Sequence, residues 1–225
     1  MGGLVEFLSQ SLQFFYSITG VLGVPNYGLA IIFFTVAVKL LLSPLTYKQL
    51  KSIKRMQELQ PKIQEIQKRY KNNPQKAQQA MLELYRAEKI NPLGGCLPLL
   101  VQMPILFALF AALRDFFDPR RNPAVNMEHA NFFWIPNLGQ ADPYFLLPVL
   151  VAVTTYLQQR ISMVNPRDGS QRTMLVVMPL LIGWMSSHFP AGLALYWVVF
   201  SVMGILEQWL LRRQPGLTKG EVSAK

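Results

Sequence analysis

The residue best suited to chemistry is Lys39, a cation near the middle of the apolar stretch AIIFFTVAVKLLLSPL at residues 30–45. An ammonium group in an apolar segment can bind a carboxylate, but burying it is costly unless a partner or water reaches it. The polar residues around Lys39 recur at steps of three or four, which a helix places on one face. They are Thr35, Ser43 and Thr46. The sequence therefore predicts a polar stripe with one positive charge.

Three explanations for Lys39 compete. The side chain can snorkel toward lipid headgroups, it can form a structural ion pair, or it can face a hydrated cavity. Within the apolar segments the one carboxylate is Glu207, and Arg212 and Arg213 follow it closely. A fixed partner for Lys39 is therefore not evident, and the sequence favours a hydrated cavity.

Other apolar segments supply side chains that could line such a cavity. Each of these residues could instead serve the packing between helices, where small and polar side chains are common. The predicted lining adds Gln102, Thr154, Gln158, Trp197 and Ser201 to the polar stripe around Lys39.

The elements that carry these residues are predicted to be transmembrane helices. The 225 residues are 51% hydrophobic and only 15% charged, a composition that excludes an ordinary soluble domain. A bilayer-spanning helix needs about 20 apolar residues. Five segments approach that length, which predicts an all-α polytopic membrane protein: 27–47, 93–113, 144–162, 173–189 and 192–211.

Residues 48–92 are predicted to form a cytoplasmic antiparallel helical hairpin, because apolar residues recur at helical spacing on both sides of the turn KNNP at 71–74. Pro61 should kink the first arm or mark the start of a new helix. The hairpin is strongly basic, and a solvated charged face is the alternative to a binding surface. Its predicted contact residues are Lys51, Lys54, Arg55, Lys62, Lys68, Arg69 and Lys71.

The N-terminal residues 1–20 show apolar side chains at helical spacing with polar side chains between them. This pattern predicts an amphipathic helix that lies in the membrane interface, with a poorly ordered leader as the alternative. A basic stretch and a small-residue cleavage site are both missing, so the segment does not resemble a secretory signal.

The distribution of cations predicts the orientation. Lys39, Arg114, Arg120 and Arg121 apart, all of the 22 lysines and arginines fall in the predicted hairpin, in or beside the loop between the third and fourth segments, or after residue 211. Positive charge marks the cytoplasmic side. We therefore expect the N-terminus and the loop 114–143 outside, and the short basic tail 212–225 in the cytoplasm.

The motifs of several function classes are absent from the sequence. The patterns GxxxxGK[ST], HExxH and GxSxG do not occur, and Cys96 is the one cysteine. We therefore expect no catalytic activity, no cofactor and no metal. The formal net charge of +10 is not accompanied by a nucleic-acid-binding module, so DNA is not an expected partner.

Three stretches together carry a resemblance to a known family. They are LLSPLTYKQLKS at 41–52, NPLGGCLPLLVQMPILFALF at 91–110 and FPAGLALYW at 189–197. The combination closely resembles the YidC/Oxa family of membrane protein insertases, over about residues 27–213.

The resemblance implies a five-helix core with a hydrophilic groove that is open to the cytoplasm and to lipid. It also implies an insertase and chaperone of the bacterial plasma membrane that moves nascent small membrane proteins into the bilayer. The ribosome and the Sec translocon are further implied partners. The chain looks like the compact form of the family, without a large extracytoplasmic domain or a lipoprotein signal.

One position departs from the family pattern. The family usually carries an arginine in the groove, where this sequence has Lys39. The charge is kept, but bidentate hydrogen bonding to a carboxylate is lost. The competing function is a transporter or channel with a polar path that includes Lys39, although the sequence shows no internal repeat to favour it.

Overall fold

The computed structural model describes residues 2–88, 90, 97–123, 125–163 and 169–212. Within these ranges the chain is helical and contains no β-strand. A short 3-10 helix, Met127–Ala130, lies between the fifth and sixth α-helices. The α-helices in chain order are α1 Gly2–Val21, α2 Tyr27–Glu58, α3 Gln60–Arg69, α4 Pro74–Ala87, α5 Leu97–Phe116, α6 Leu146–Ser162, α7 Gly169–Ser186 and α8 Ala191–Arg212.

Helix α2 is the longest element and carries Lys39. It begins after Asn26, whose side-chain oxygen accepts hydrogen bonds from the backbone N–H groups of Gly28 and Leu29 at 2.8 and 3.2 Å. Pro44 lies inside the helix, and α2 nevertheless continues to Glu58. Residue 47, the predicted end of the first membrane segment, is therefore not the end of a helix.

Helix α3 begins at Gln60, next to Pro61, for which the sequence allows either a kink or a new helix start. The proline lies in the first turn of α3, where an N–H group would have no partner within the helix. Pro61 thus marks a new helix start rather than a kink. Helix α4 begins at Pro74 and is capped by Asn73, whose side chain accepts from the backbone N–H of Lys76 at 3.1 Å.

Two helices in the described part of the chain are long and apolar enough to cross a bilayer, Tyr27–Glu58 and Ala191–Leu210. The other three predicted membrane segments correspond to α5, α6 and α7 with shifted ends. Helix α7 starts before residue 173 and stops at Ser186, and a turn follows it. Residues 93–96 and the tail from 213 onward lie outside the described residues. The prediction of five membrane-spanning helices stays a prediction.

The apolar core lies at one end of the helices. It comprises the first turns of α2, α6 and α8 and the last turns of α5, with Tyr27, Leu113, Val151 and Tyr196 almost fully buried. Helix α1 contributes Leu8 and Leu12 and packs against α2 and α5. The polar side chains farther along α2, α6 and α8 therefore lie beyond this apolar end of the helices.

The segment between α5 and α6 folds onto the same end. The backbone N–H groups of Ala191 and Gly192, at the start of α8, donate to the carbonyls of Gln140 and Leu138 at 2.6 and 2.8 Å. Asp142 is buried and accepts from the backbone N–H of Leu147 in the first turn of α6 at 2.7 Å. These bonds fix the starts of α6 and α8 relative to each other.

Candidate functional site

Lys39 forms an ion pair with Glu207. The Lys39 Nζ atom donates to Glu207 Oε2 at 3.2 Å, and the pair joins α2 to α8. The Lys39 side chain is only 4% exposed, whereas that of Glu207 is 18% exposed. The ammonium group is therefore enclosed, and its counterion lies on the more open side.

The expectation that Lys39 lacks a fixed partner is wrong. The sequence placed Glu207 close to Arg212 and Arg213, and proximity along the chain favoured a local partner for the carboxylate. Packing of α2 against α8 brings the carboxylate to Lys39 instead. An ion pair lowers the cost of burying each charge, because attraction between the two offsets part of the lost hydration.

Three further residues surround the ammonium group. The Phe200 ring centroid lies 4.0 Å from Lys39 Nζ, within the range of a cation–π interaction. Gly204 lets α8 approach closely, since a Cβ atom there would lie 3.4 Å from Lys39 Nζ and collide with the Gln158 side-chain nitrogen. We call Lys39, Gln158, Phe200, Gly204 and Glu207 the Lys39 cluster.

Several predicted lining residues are buried, and two of them bond within their own helices. Thr35 is fully buried and donates to the carbonyl of Ile31 at 2.6 Å. Thr154 donates to the carbonyl of Leu150 at 2.7 Å. A hydroxyl group that donates to a carbonyl of its own helix has a hydrogen-bond partner, so its burial in an apolar environment costs little. Ser201, three residues before Gly204, is also buried.

Two predicted residues make bonds between helices. Trp197 Nε1 donates to the Thr155 hydroxyl at 2.9 Å, which ties α8 to α6. Gln102 Nε2 donates to the Tyr196 hydroxyl at 2.9 Å, which ties α5 to α8. Both bonds join neighbouring helices, so Trp197 and Gln102 also contribute to helix packing.

Ser43 and Thr46 lie outside the Lys39 cluster, nearer the C-terminus of α2. Both are half-buried, and Thr46 donates to the carbonyl of Leu42 at 3.1 Å. The predicted stripe on α2 thus splits into a buried part around Lys39 and a more accessible part beyond it.

The basic residues predicted to contact substrate lie on α2, α3 and the α3–α4 turn. Lys54 is half-buried and the others are exposed: Lys51, Arg55, Lys62, Lys68, Arg69 and Lys71. Lys62 Nζ lies 2.5 Å from Glu88 Oε1, so part of the positive charge is paired between α3 and the end of α4. Such an exposed pair contributes about 0–1 kcal/mol to stability.

Glu207 and Phe200 are the residues that sequence reasoning missed. Phe200, Gly204 and Glu207 follow each other at steps of four and three, the spacing of one helix face. That face adjoins the one formed by Trp197, Ser201 and Gln208. The steps of four and three from Phe200 through Gly204 to Glu207 are therefore the signal that could have indicated Glu207.

The arrangement can bind and orient charge, but it offers no group of metal ligands among the described residues. Lys39 presents three N–H donors, and one is directed to Glu207. A further acidic group that reached the cluster could exchange with this carboxylate. The interaction that the site shows is therefore an ion pair between α2 and α8.

Comparison with known proteins assigns the family. A family model described as 60Kd inner membrane protein matches residues 17–217. The chain belongs to the 60Kd inner membrane protein family. Membership of this family, together with the apolar helices α2 and α8, makes the chain a membrane protein.

Relatives in the 60Kd inner membrane protein family carry the name Membrane protein insertase YidC. The protein of Caldanaerobacter subterraneus subsp. tengcongensis is 38% identical over 221 residues, which cover 98% of this chain and 100% of the relative. The protein of Geobacter sulfurreducens is 41% identical over 211 residues, which cover 93% of this chain and 37% of the relative. The chain thus spans little more than a third of the longer relative.

Proposed function

We propose that the chain is a membrane protein insertase that moves nascent small membrane proteins from the cytoplasm into the lipid bilayer. One observation carries this proposal. The relative from Caldanaerobacter subterraneus aligns with 98% of this chain and over 100% of its own length, and it bears the name of a membrane protein insertase. The resemblance in the three sequence stretches around residues 41–52, 91–110 and 189–197 agrees with that assignment.

The proposed arrangement has five helices in the bilayer, the N-terminus outside and the C-terminus in the cytoplasm. The membrane spans correspond to α5, α6, α7, α8 and the first part of α2. Helix α1 lies in the interface, and α3 and α4 form the cytoplasmic hairpin. The distribution of cations supports this orientation, because the positive-inside rule places the basic segments in the cytoplasm.

The proposed route for the substrate is a hydrophilic groove that is closed toward the outside. The position of the apolar core supports this, because it fills the ends of the helices that we assign to the outer side. Lys39, Ser201 and Gln158 lie farther along the helices, toward the cytoplasmic ends. A groove closed at one end also disfavours a transporter or channel, which needs a path open to both sides.

In the proposed mechanism, the basic hairpin first contacts the nascent chain, the ribosome or both. A short hydrophilic terminus of the substrate then enters the groove near Lys39, and the apolar segment passes sideways into lipid. Transfer of a span of about 20 apolar residues into the bilayer supplies the free energy. For an acidic terminus that moves outward, the membrane potential adds about 2.3 kcal/mol per charge per 100 mV.

Complementation tests this function. The chain is produced in a bacterium whose own insertase is depleted, and insertion of a single-span reporter is followed by the accessibility of its outer terminus to protease. We expect growth and protease-accessible reporter to return. A chain that accumulates in the membrane and restores neither result would contradict the insertase assignment.

A further inference from the structure

The Lys39 cluster holds its own anion. We propose that Glu207 is an internal counterion that occupies the anion-binding position at Lys39 until an acidic segment of a substrate displaces it. This inference rests on the proposed function for the identity of the substrate. The contact between the two side chains is independent of that function.

The limited exposure of the Lys39 ammonium group supports the displacement of Glu207 by an incoming carboxylate. The Phe200 ring covers Lys39 Nζ at 4.0 Å, Gly204 brings the α8 backbone close to it, and only 4% of the lysine side chain is exposed. Glu207 is more than four times as exposed by fraction, at 18%. An incoming carboxylate therefore meets Glu207 before it can contact Lys39.

The opposite charges of Lys39 and Glu207 affect how strongly the cluster attracts acidic segments. Opposite unit charges whose atoms are 3.2 Å apart form a dipole, and its attraction for a third charge falls off faster than that of a lone cation. The paired cluster therefore attracts an acidic segment weakly at a distance. An acidic group gains the full interaction with Lys39 only by replacing the carboxylate of Glu207.

Glu207 accordingly sets how strongly the cluster discriminates between acidic and neutral segments. With Glu207 neutralised, Lys39 becomes an uncompensated cation in a nearly enclosed site and binds acidic segments more tightly. Because a structural role for Glu207 would alter acidic and neutral segments alike, the difference between them separates selectivity from folding.

The test is a binding titration with the full chain in lipid nanodiscs. The probes are two fluorescent peptides of ten glycine and serine residues, one with three added aspartates and the other with three added asparagines. For Glu207→Gln we expect the acidic peptide to bind about tenfold more tightly than to wild type, a change of about 1.4 kcal/mol. Binding of the asparagine peptide should not change.

Further variants locate the effect. Asp115→Asn removes a carboxylate that is paired with Arg121 in the loop region, and it should leave both titrations as in wild type. Lys39→Gln added to Glu207→Gln should abolish the gain. Glu207→Asp keeps the charge on a shorter side chain and should give a smaller gain, so it answers the question if Glu207→Gln does not accumulate.

Equal affinity of wild type and Glu207→Gln for the acidic peptide would overturn the counterion role, as would an equal change for both peptides. Insertion of reporters with the same two termini is measured in parallel. A wild type that inserts neither reporter would contradict the proposed function, and the peptide titration would still decide the role of Glu207.

Discussion

Lys39 and Glu207 lie 168 residues apart in the sequence and 3.2 Å apart in space, measured from Nζ to Oε2. The pair joins α2 to α8, both of which are long and apolar enough to cross a bilayer. Because Lys39 is almost fully buried and Glu207 is largely buried, each charge depends on the other, since a buried charge without a partner is strongly unfavourable.

The pair should therefore be coupled in stability. Removing one partner of a buried pair costs about 3–5 kcal/mol, and the partial exposure of Glu207 places Glu207→Leu at the lower end. Lys39→Met combined with Glu207→Leu should recover most of the loss, because no unpaired charge is then left buried. Thermal unfolding in detergent compares Lys39→Met alone, Glu207→Leu alone and the double variant, and additive losses in the double variant would contradict the coupling.

Insertion should depend on positive charge at residue 39. Lys39→Arg should keep activity, Lys39→Ala should lower it by about tenfold, and Lys39→Glu should abolish it because two carboxylates then face each other. The reporter assay in the insertase-depleted bacterium measures this series.

Lys48→Ala is the matched control for that series, because it removes an exposed lysine from the same helix and should have no effect. Full activity in all three Lys39 variants would show that the cation has no part in insertion. A snorkelling lysine would then be the better explanation.

Gly28 should tolerate no side chain. A Cβ atom there would collide with the Phe132 ring and lie 2.9 Å from the Phe132 Cβ atom, which moves only with its backbone. Gly28→Ala should therefore lower the free energy of unfolding by about 1–3 kcal/mol. Gly20→Ala, which meets nothing within 4 Å, should be neutral or slightly stabilising. Equal melting temperatures for the two variants would show that the loop does not pack on α2 in this way.

The proposed orientation can be tested with single cysteines. In a Cys96→Ser background, Lys71→Cys places a thiol in the turn before α4, and Phe133→Cys places one where the native side chain is 84% exposed. A membrane-impermeant maleimide added to spheroplasts should label residue 133 at once and residue 71 only after permeabilisation. The opposite pattern would reverse the assigned topology.

The helical elements and part of the site could be predicted from the sequence, because local spacing determines which side chains share a helix face. Thr35 and Lys39 are on one face of α2, and Gln158 lies near Lys39 across the α8 glycine. The pairing of Lys39 with Glu207 could not be predicted, because it depends on the rotation and axial position of α8 relative to α2.

Helix ends were also hard to predict from hydropathy. The apolar segment stops near residue 47, but α2 continues to Glu58 because the polar residues that follow have good helix propensity and no cap intervenes. A membrane boundary is a change of solvent around a helix, so it need not coincide with the end of the hydrogen-bonded backbone.

The most direct test of the insertase assignment is reconstitution. The purified chain is placed in liposomes, a single-span membrane protein is synthesised outside them, and the protease-protected fraction is compared with that of empty liposomes and of Lys39→Glu liposomes. We expect a protected fragment of the expected length with wild type and little with either control. Equal protection in all three would contradict insertion by this chain.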